Sequence, residues 1–134
     1  MTVAMLQGKP APRILLVEDD QVFLHTLEMV LRDAGFEVVA VADYAPALGH
    51  LDGEQRIDVL LTDIVMPDRV NGLALARMAR LRRPELKFVY FTAYDIPSAE
   101  NEAMGIVLQK PFDNEQLVAA IHNALAKAAE DFPE

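Results

Sequence analysis

Four short stretches of the sequence carry residue types able to hold or move charge: Glu18-Asp19-Asp20, Thr62-Asp63, Thr92-Ala93 and Lys110-Pro111. Each closes a short apolar run. If those runs lie side by side, Glu18, Asp19 and Asp63 bring three carboxylates, Thr92 a hydroxyl and Lys110 an ammonium to one small region. Neighbouring carboxylates repel one another and raise a pKa unless cations intervene. Lys110 supplies one positive charge and a divalent cation would supply two, which together cancel the three negative ones. Hard oxygen donors without histidine or cysteine beside them favour Mg²⁺, with Mn²⁺ as a substitute, over zinc. Taken singly, each stretch has an ordinary reading: helix caps for Glu18-Asp19-Asp20, a loop opener for Asp63, a strand-end hydroxyl for Thr92, a turn for Lys110-Pro111. The conjunction is the signal, because chance would have to place the right residue type at four separate strand ends.

The elements that must position these residues follow from the apolar pattern. Residues 13–17 read as a strand, and 22–34 as a helix with Phe23, Leu27, Val30, Leu31 and Ala34 on one face. Gly35 stands where a helix C-terminal glycine belongs. Residues 37–42 form a second strand, 44–51 a short helix followed closely by Gly53, and 57–62 a third strand. A loop at 66–71 leads to a helix over 72–81, stopped by Pro84, and a fourth strand at 86–91. A weak helical stretch at 97–104 precedes a fifth strand at 106–109 and a final helix over 113–129, with Asp113 as its N-cap and Leu117, Ile121, Ala124, Leu125 and Ala128 on one side. Five β–α units whose strands are apolar on both sides imply an α/β fold, a parallel sheet covered by helices on both faces. Sites in such sheets lie at the carboxyl ends of the strands, beside the point where the strand order reverses.

The 134 residues suit one domain, and a hydrophobic fraction of 52% excludes wholesale disorder. We expect a flexible leader over 1–12, one domain over 13–129 and a fraying acidic tail over 130–134. There are 0 cysteines, which removes disulfides, thiolate metal sites and cysteine nucleophiles. The balance of 21 acidic against 12 basic residues, net −9, argues against direct nucleic-acid binding, which needs clustered cations. No apolar run approaches the ~18 residues of a membrane span, and no basic segment precedes an apolar one at the N-terminus. The expectation is a cytoplasmic domain without membrane insertion. His25, His50 and His122 stand apart and read as solvated rather than as phosphodonors.

From Arg13 to Ala129 the chain resembles the receiver domains of two-component response regulators, the CheY-like superfamily. The matching pieces are Ile14-Leu-Leu-Val-Glu-Asp-Asp20, Asp58-Val-Leu-Leu-Thr-Asp63-Ile-Val-Met-Pro67, Phe91-Thr92-Ala93 and Gln109-Lys110-Pro111-Phe112. The resemblance implies a flavodoxin-like, doubly wound sheet of strand order 2-1-3-4-5. It implies that Asp63 accepts a phosphoryl group from a sensor histidine kinase or a histidine phosphotransfer protein, forming an aspartyl phosphate. Asp19 would ligate Mg²⁺ directly, Glu18 largely through water, and the backbone carbonyl of Val65 would be a further ligand. Asp20 falls outside that pair and is expected to cap the first helix. Lys110 and Thr92 would contact the phosphoryl oxygens, the Lys110-Pro111 bond would be cis, and repacking around the fourth and fifth strands would reach an unknown downstream protein. Such a module promotes its own phosphorylation and dephosphorylation and is not a turnover enzyme. Phosphoryl transfer depends mostly on positioning and charge neutralisation, which these residue types supply.

The sequence also departs from the family. The loop from Pro67 to Gly72 is one residue longer than the commonest form. Val107 stands where many members carry an aromatic residue that reports on the threonine; Tyr94 is a candidate either to substitute for it or to gate water access to the phosphoryl group. The segment from Asp95 to Gly105 is short by about one helical turn of ~3.6 residues, so the fourth helix should be short or irregular, with low hydrogen-exchange protection over 96–104. The chain ends soon after the final helix, which leaves a stand-alone regulator acting through protein contacts, a phosphate shuttle or sink, or a receiver cut from a hybrid kinase as the expectations. Two other functions stay open. One is a Mg²⁺-dependent aspartate-nucleophile phosphatase, which would want a second aspartate where Val65 stands; the other is a phosphorylation-independent pseudo-receiver binding module.

Overall fold

The computed structural model describes residues 10–64, 72–93 and 105–127. Within them the order is β1 (Arg13–Val17), α1 (Gln21–Asp33), β2 (Glu37–Val41), α2 (Tyr44–Asp52), β3 (Val59–Asp63), α3 (Gly72–Arg82), β4 (Lys87–Thr92), β5 (Ile106–Gln109) and α4 (Asn114–Ala126). All ladders are parallel and the sheet runs β2-β1-β3-β4-β5, the flavodoxin-like order expected. Alternate side chains of the central strands point to opposite faces, so each strand feeds two cores. Ile14 and Leu16 pack with Leu24, Leu27 and Leu31 of α1 and Leu117 and Ile121 of α4. Leu15 and Val17 pack on the other face with Ala47 and Leu51 of α2 and Leu75 and Ala79 of α3. Burial on both faces is the physical reason these strands read as unbroken apolar runs. No helix among the described residues is long and apolar enough to cross a membrane.

Local chemistry fixes the helix ends. The Asp20 carboxylate accepts from the Phe23 N–H at 3.1 Å, capping α1 as expected. Gly35 adopts φ 97°, while the Gly35 and Phe36 N–H groups donate to the Arg32 and Leu31 carbonyls, a left-handed stop that glycine makes cheaply. Asp113 and Gln116 close a reciprocal capping box at 2.8 and 2.9 Å.

Several boundaries differ from the sequence reading. The last helix ends at Ala126; Lys127 is extended, and its carbonyl accepts from the Lys87 ammonium at 2.6 Å. β3 starts at Val59 rather than residue 57, since the Asp58 side chain is taken by the Arg13 N–H at 2.8 Å and the Arg56 guanidinium at 3.0 Å. β3 and β4 each extend one residue further than expected, so Asp63 and Thr92 are terminal ladder residues and not the first loop residues. The leader as far as residue 9, the loop from Val65 to Asn71, the 94–104 segment with Tyr94, and residues 128–134 lie outside the described residues.

Candidate functional site

The register brings the chemistry-bearing residues to one edge. Glu18 follows β1, with its N–H donating to the Val41 carbonyl at 3.1 Å. Asp63 pairs with Phe91 in the β3–β4 ladder, and Thr92 with Gln109 in the β4–β5 ladder. The Lys110 N–H continues the latter ladder to the Thr92 carbonyl at 2.7 Å. The site therefore straddles the β1–β3 junction, where the strand order reverses.

At its centre the Lys110 ammonium lies 3.0 Å from Asp63 Oδ2 and 3.7 Å from Glu18 Oε1. The Glu18 side chain is 2% exposed and that of Asp63 8%, so both carboxylates are largely removed from water. Burial pushes the Glu18 carboxyl up from 4.5 to about 7, the Asp63 charge adds to the rise, Lys110 opposes it, and Asp19 contributes last. Asp19 is exposed, and its backbone N–H donates to Glu18 Oε2 at 3.1 Å. Thr92 is buried at the end of β4. The Lys110-Pro111 bond is cis, as expected.

Two buried carboxylates thus meet the Lys110 ammonium, with Asp19 next to Glu18. Among the described residues no three of His, Cys, Asp or Glu are gathered as a metal cluster, and Val65 lies outside them. Glu18 faces Lys110, and Asp19 lies at the exposed rim. The donor set nonetheless fits a hard divalent cation: it is all carboxylate oxygen, it carries a negative surplus, and that surplus already presses on Glu18.

Two features of the site escape a reading of the sequence. Gly72 opens α3 directly against β3: a Cβ there would overlap the Asp63 carbonyl oxygen and come within 2.9 Å of its carbon. The Gly72 N–H donates to the Ile64 carbonyl at 2.9 Å. The only signal was a poor helix former at a helix start. The second feature is aromatic. Lys110 Nζ lies 4.8 Å from the centre of the Phe23 ring and 5.2 Å from that of Phe91. Phe23 read as one more apolar residue on a helix face. On the opposite sheet face Val107 pairs with Tyr90, a buried phenol stacked on Phe88 at 6.3 Å. Burial pushes that phenol up to about 12, against the charges of Arg80 and Arg77.

The comparisons with known proteins agree on one family. The family model described as the response regulator receiver domain matches residues 14–122. The response regulator receiver protein CpdR of Brucella abortus is 37% identical over 120 residues, which cover 87% of this chain and 98% of CpdR. The DNA-binding transcriptional regulator NtrC of Azospirillum brasilense is 32% identical over 86% of this chain, which spans only 24% of that regulator. A crystal structure of a response regulator receiver protein from Sinorhizobium medicae superposes with a TM-score of 0.75 at 34% identity, covering 86% of this chain and 94% of the other.

Proposed function

The chain belongs to the response regulator receiver domain family of two-component systems, and from that premise we propose that Asp63 is its phosphoacceptor. The observation that supports this most is the placement of Asp63: a buried, ladder-terminal carboxylate with an ammonium at 3.0 Å. In the transfer, an Asp63 carboxylate oxygen attacks the phosphorus of a phosphohistidine. The P–N bond breaks as the new P–O bond forms, and the imidazole leaves. The donor is a sensor histidine kinase or a histidine phosphotransfer protein acting in the cytoplasm. Lys110 holds its charge where negative charge spreads over the equatorial oxygens, and the Thr92 hydroxyl stands at the adjoining strand end to donate.

Glu18, Asp19 and Asp63, with the Val65 carbonyl, would hold Mg²⁺, for which Mn²⁺ substitutes; when bound, the ion neutralises charge on the transferring group. Buried carboxylates with a negative surplus disfavour an incoming phosphate, which is why the site needs that ion. Phosphorylation replaces one carboxylate charge by a group of about −2. The added charge biases the edge between two packings and changes what protein docks on it. The protein is then a signalling phosphoacceptor rather than a turnover enzyme.

Incubation with Mg²⁺ and acetyl phosphate, followed by intact-mass analysis, tests the reading. Wild type should gain one phosphoryl group and Asp63→Asn none. Equal labelling of both, or no labelling of wild type, refutes it.

A further inference from the structure

A lysine ammonium is a strongly hydrated point charge on a flexible four-carbon stem, so its position must be imposed from several sides. Two carboxylates act on one side of Lys110, and the other side is aromatic. The Phe23 and Phe91 centroids lie 4.8 and 5.2 Å from Nζ, within the range in which a ring face attracts a cation. The rings brace one another. Phe23 meets Phe91 edge-on at 5.8 Å, and Phe112, two residues beyond Lys110, packs on both at 6.1 Å. Phe91 is fully buried in the core, whereas Phe23 is half-buried on the first turn of α1. Its backbone N–H is the one that Asp20 caps.

We propose that Phe23 is a positioning residue, whose ring face, paired with that of Phe91, seats the Lys110 ammonium on the Asp63 carboxylate. This rests on Asp63 being the phosphoacceptor. The choice of a ring has a physical reason. A third carboxylate in its place would also hold the ammonium, but it would draw Nζ away from Asp63 and deepen the negative surplus. A ring quadrupole attracts the cation without adding net charge, so the lysine's full charge stays directed at the phosphoryl position. The ring also excludes water from that side, which reduces the screening of the Lys110–Asp63 attraction. Asp20 then serves the site at one remove, by fixing the helix turn that carries the ring.

The test compares full-length wild type, Phe23→Leu and Phe23→Tyr. With Mg²⁺ and acetyl phosphate, Phe23→Leu should label roughly three- to tenfold more slowly, the scale of one cation–π contact. Phe23→Tyr keeps both the ring face and the packing volume and should restore the wild-type rate; the second readout separates a ring contact with Lys110 from packing alone. An unchanged rate in Phe23→Leu, or a Phe23→Tyr as slow as Phe23→Leu, overturns the proposal. The second readout needs no phosphorylation. The Lys110 side-chain protons of wild type should show upfield ring-current shifts by NMR, kept in Phe23→Tyr and reduced in Phe23→Leu. Random-coil shifts for those protons in wild type overturn the proposal even if Phe23→Leu fails to fold. A wild type that takes no label refutes the phosphoacceptor reading instead, and the ring-current shift alone then decides whether the rings hold the ammonium.

Discussion

The two edges of the sheet carry the same kinds of charged residues in opposite states. At the amino ends of the strands Arg13 and Arg56 face Glu37 and Asp58, two cations against two anions, paired at 3.2, 3.5 and 3.0 Å. Every one of those side chains is at least 24% exposed. At the carboxyl ends, Glu18 and Asp63 are buried around the Lys110 ammonium, with Asp19 beside them. Exposed, matched pairs are worth little and cost little. Buried carboxylates close to one another cost desolvation and repulsion, the two largest causes that raise the Glu18 pKa. One edge is neutral and satisfied, while the other holds buried carboxylates close to one another, a charge state that protonation or an added cation would relieve. That contrast separates a structural charge cluster from the proposed reactive one, and substitutions at each edge probe it from the largest expected effect downward.

The steric limit on the reactive edge is Gly72. A Gly72→Ala methyl would collide with the Asp63 backbone rather than with a side chain that can rotate away. Overpacking of this kind should cost ~2–3 kcal/mol by urea unfolding and displace Asp63, the proposed phosphoacceptor, as well. Labelling by acetyl phosphate should fall with stability. A Gly72→Ala protein as stable and as reactive as wild type would show that the β3–α3 contact leaves Asp63 free.

The charge state comes next. Glu18 has a folded pKa of about 7 against an ordinary 4.5. Below pH 4.5 the group is protonated in both states and its contribution to stability is complete. As pH rises to about 7 the unfolded chain has released the proton while the folded one keeps it, so stability falls. Above that window the loss is constant. In metal-free buffer Glu18→Gln should therefore be more stable than wild type by on the order of 2 kcal/mol at pH 8, with the gap closing toward pH 4. A gap independent of pH would place the cost in packing and not in charge.

The carboxyl-end half of this contrast is legible in the sequence. The strand ends were readable because β1 and β3 are buried on both faces and therefore apolar without interruption until the chemistry begins. Asp20 and Asp113 were readable as caps, since capping is a local geometry. The seat of Lys110 was not: Phe23 and Phe91 lie far apart in sequence and carry the ordinary signature of core residues. Gly72 was opaque for a related reason, because what it touches is set by tertiary approach and not by its own φ. The amino-end network was equally invisible, since Arg13, Glu37, Arg56 and Asp58 meet only through the β2-β1-β3 register. Sequence reports which residues end an element; it does not report which side chains then share a volume.

A middle case sits near the amino-end edge. Arg83 donates to the carbonyls of Leu51, Gln55 and Gly53 at 3.0, 2.6 and 2.7 Å, tying the end of α2 to that of α3. Arg83→Met should lower stability by ~1–2 kcal/mol, since water can reach only some of the freed carbonyls. The labelling rate should stay at the wild-type value. A slower rate in a folded Arg83→Met would mean that the two edges are coupled.

The smallest effect belongs to the matched pairs themselves, and it is the sharpest check on the comparison. Arg56 pairs with Glu37 and Asp58 and donates to the Ala11 carbonyl at 2.6 Å, with its own side chain 42% exposed. Arg56→Ala should cost less than ~1 kcal/mol at low salt. Most of that should vanish near 1 M salt, where screening acts over about 3 Å. The part that persists reports the Ala11 hydrogen bond, and Glu37→Gln, which lacks that bond, should lose its whole effect. A loss above ~2 kcal/mol that resists salt would mean that these charges are effectively buried too. The neutrality of the amino-end edge would then be a requirement of folding, as demanding as the surplus at the opposite edge is for reaction.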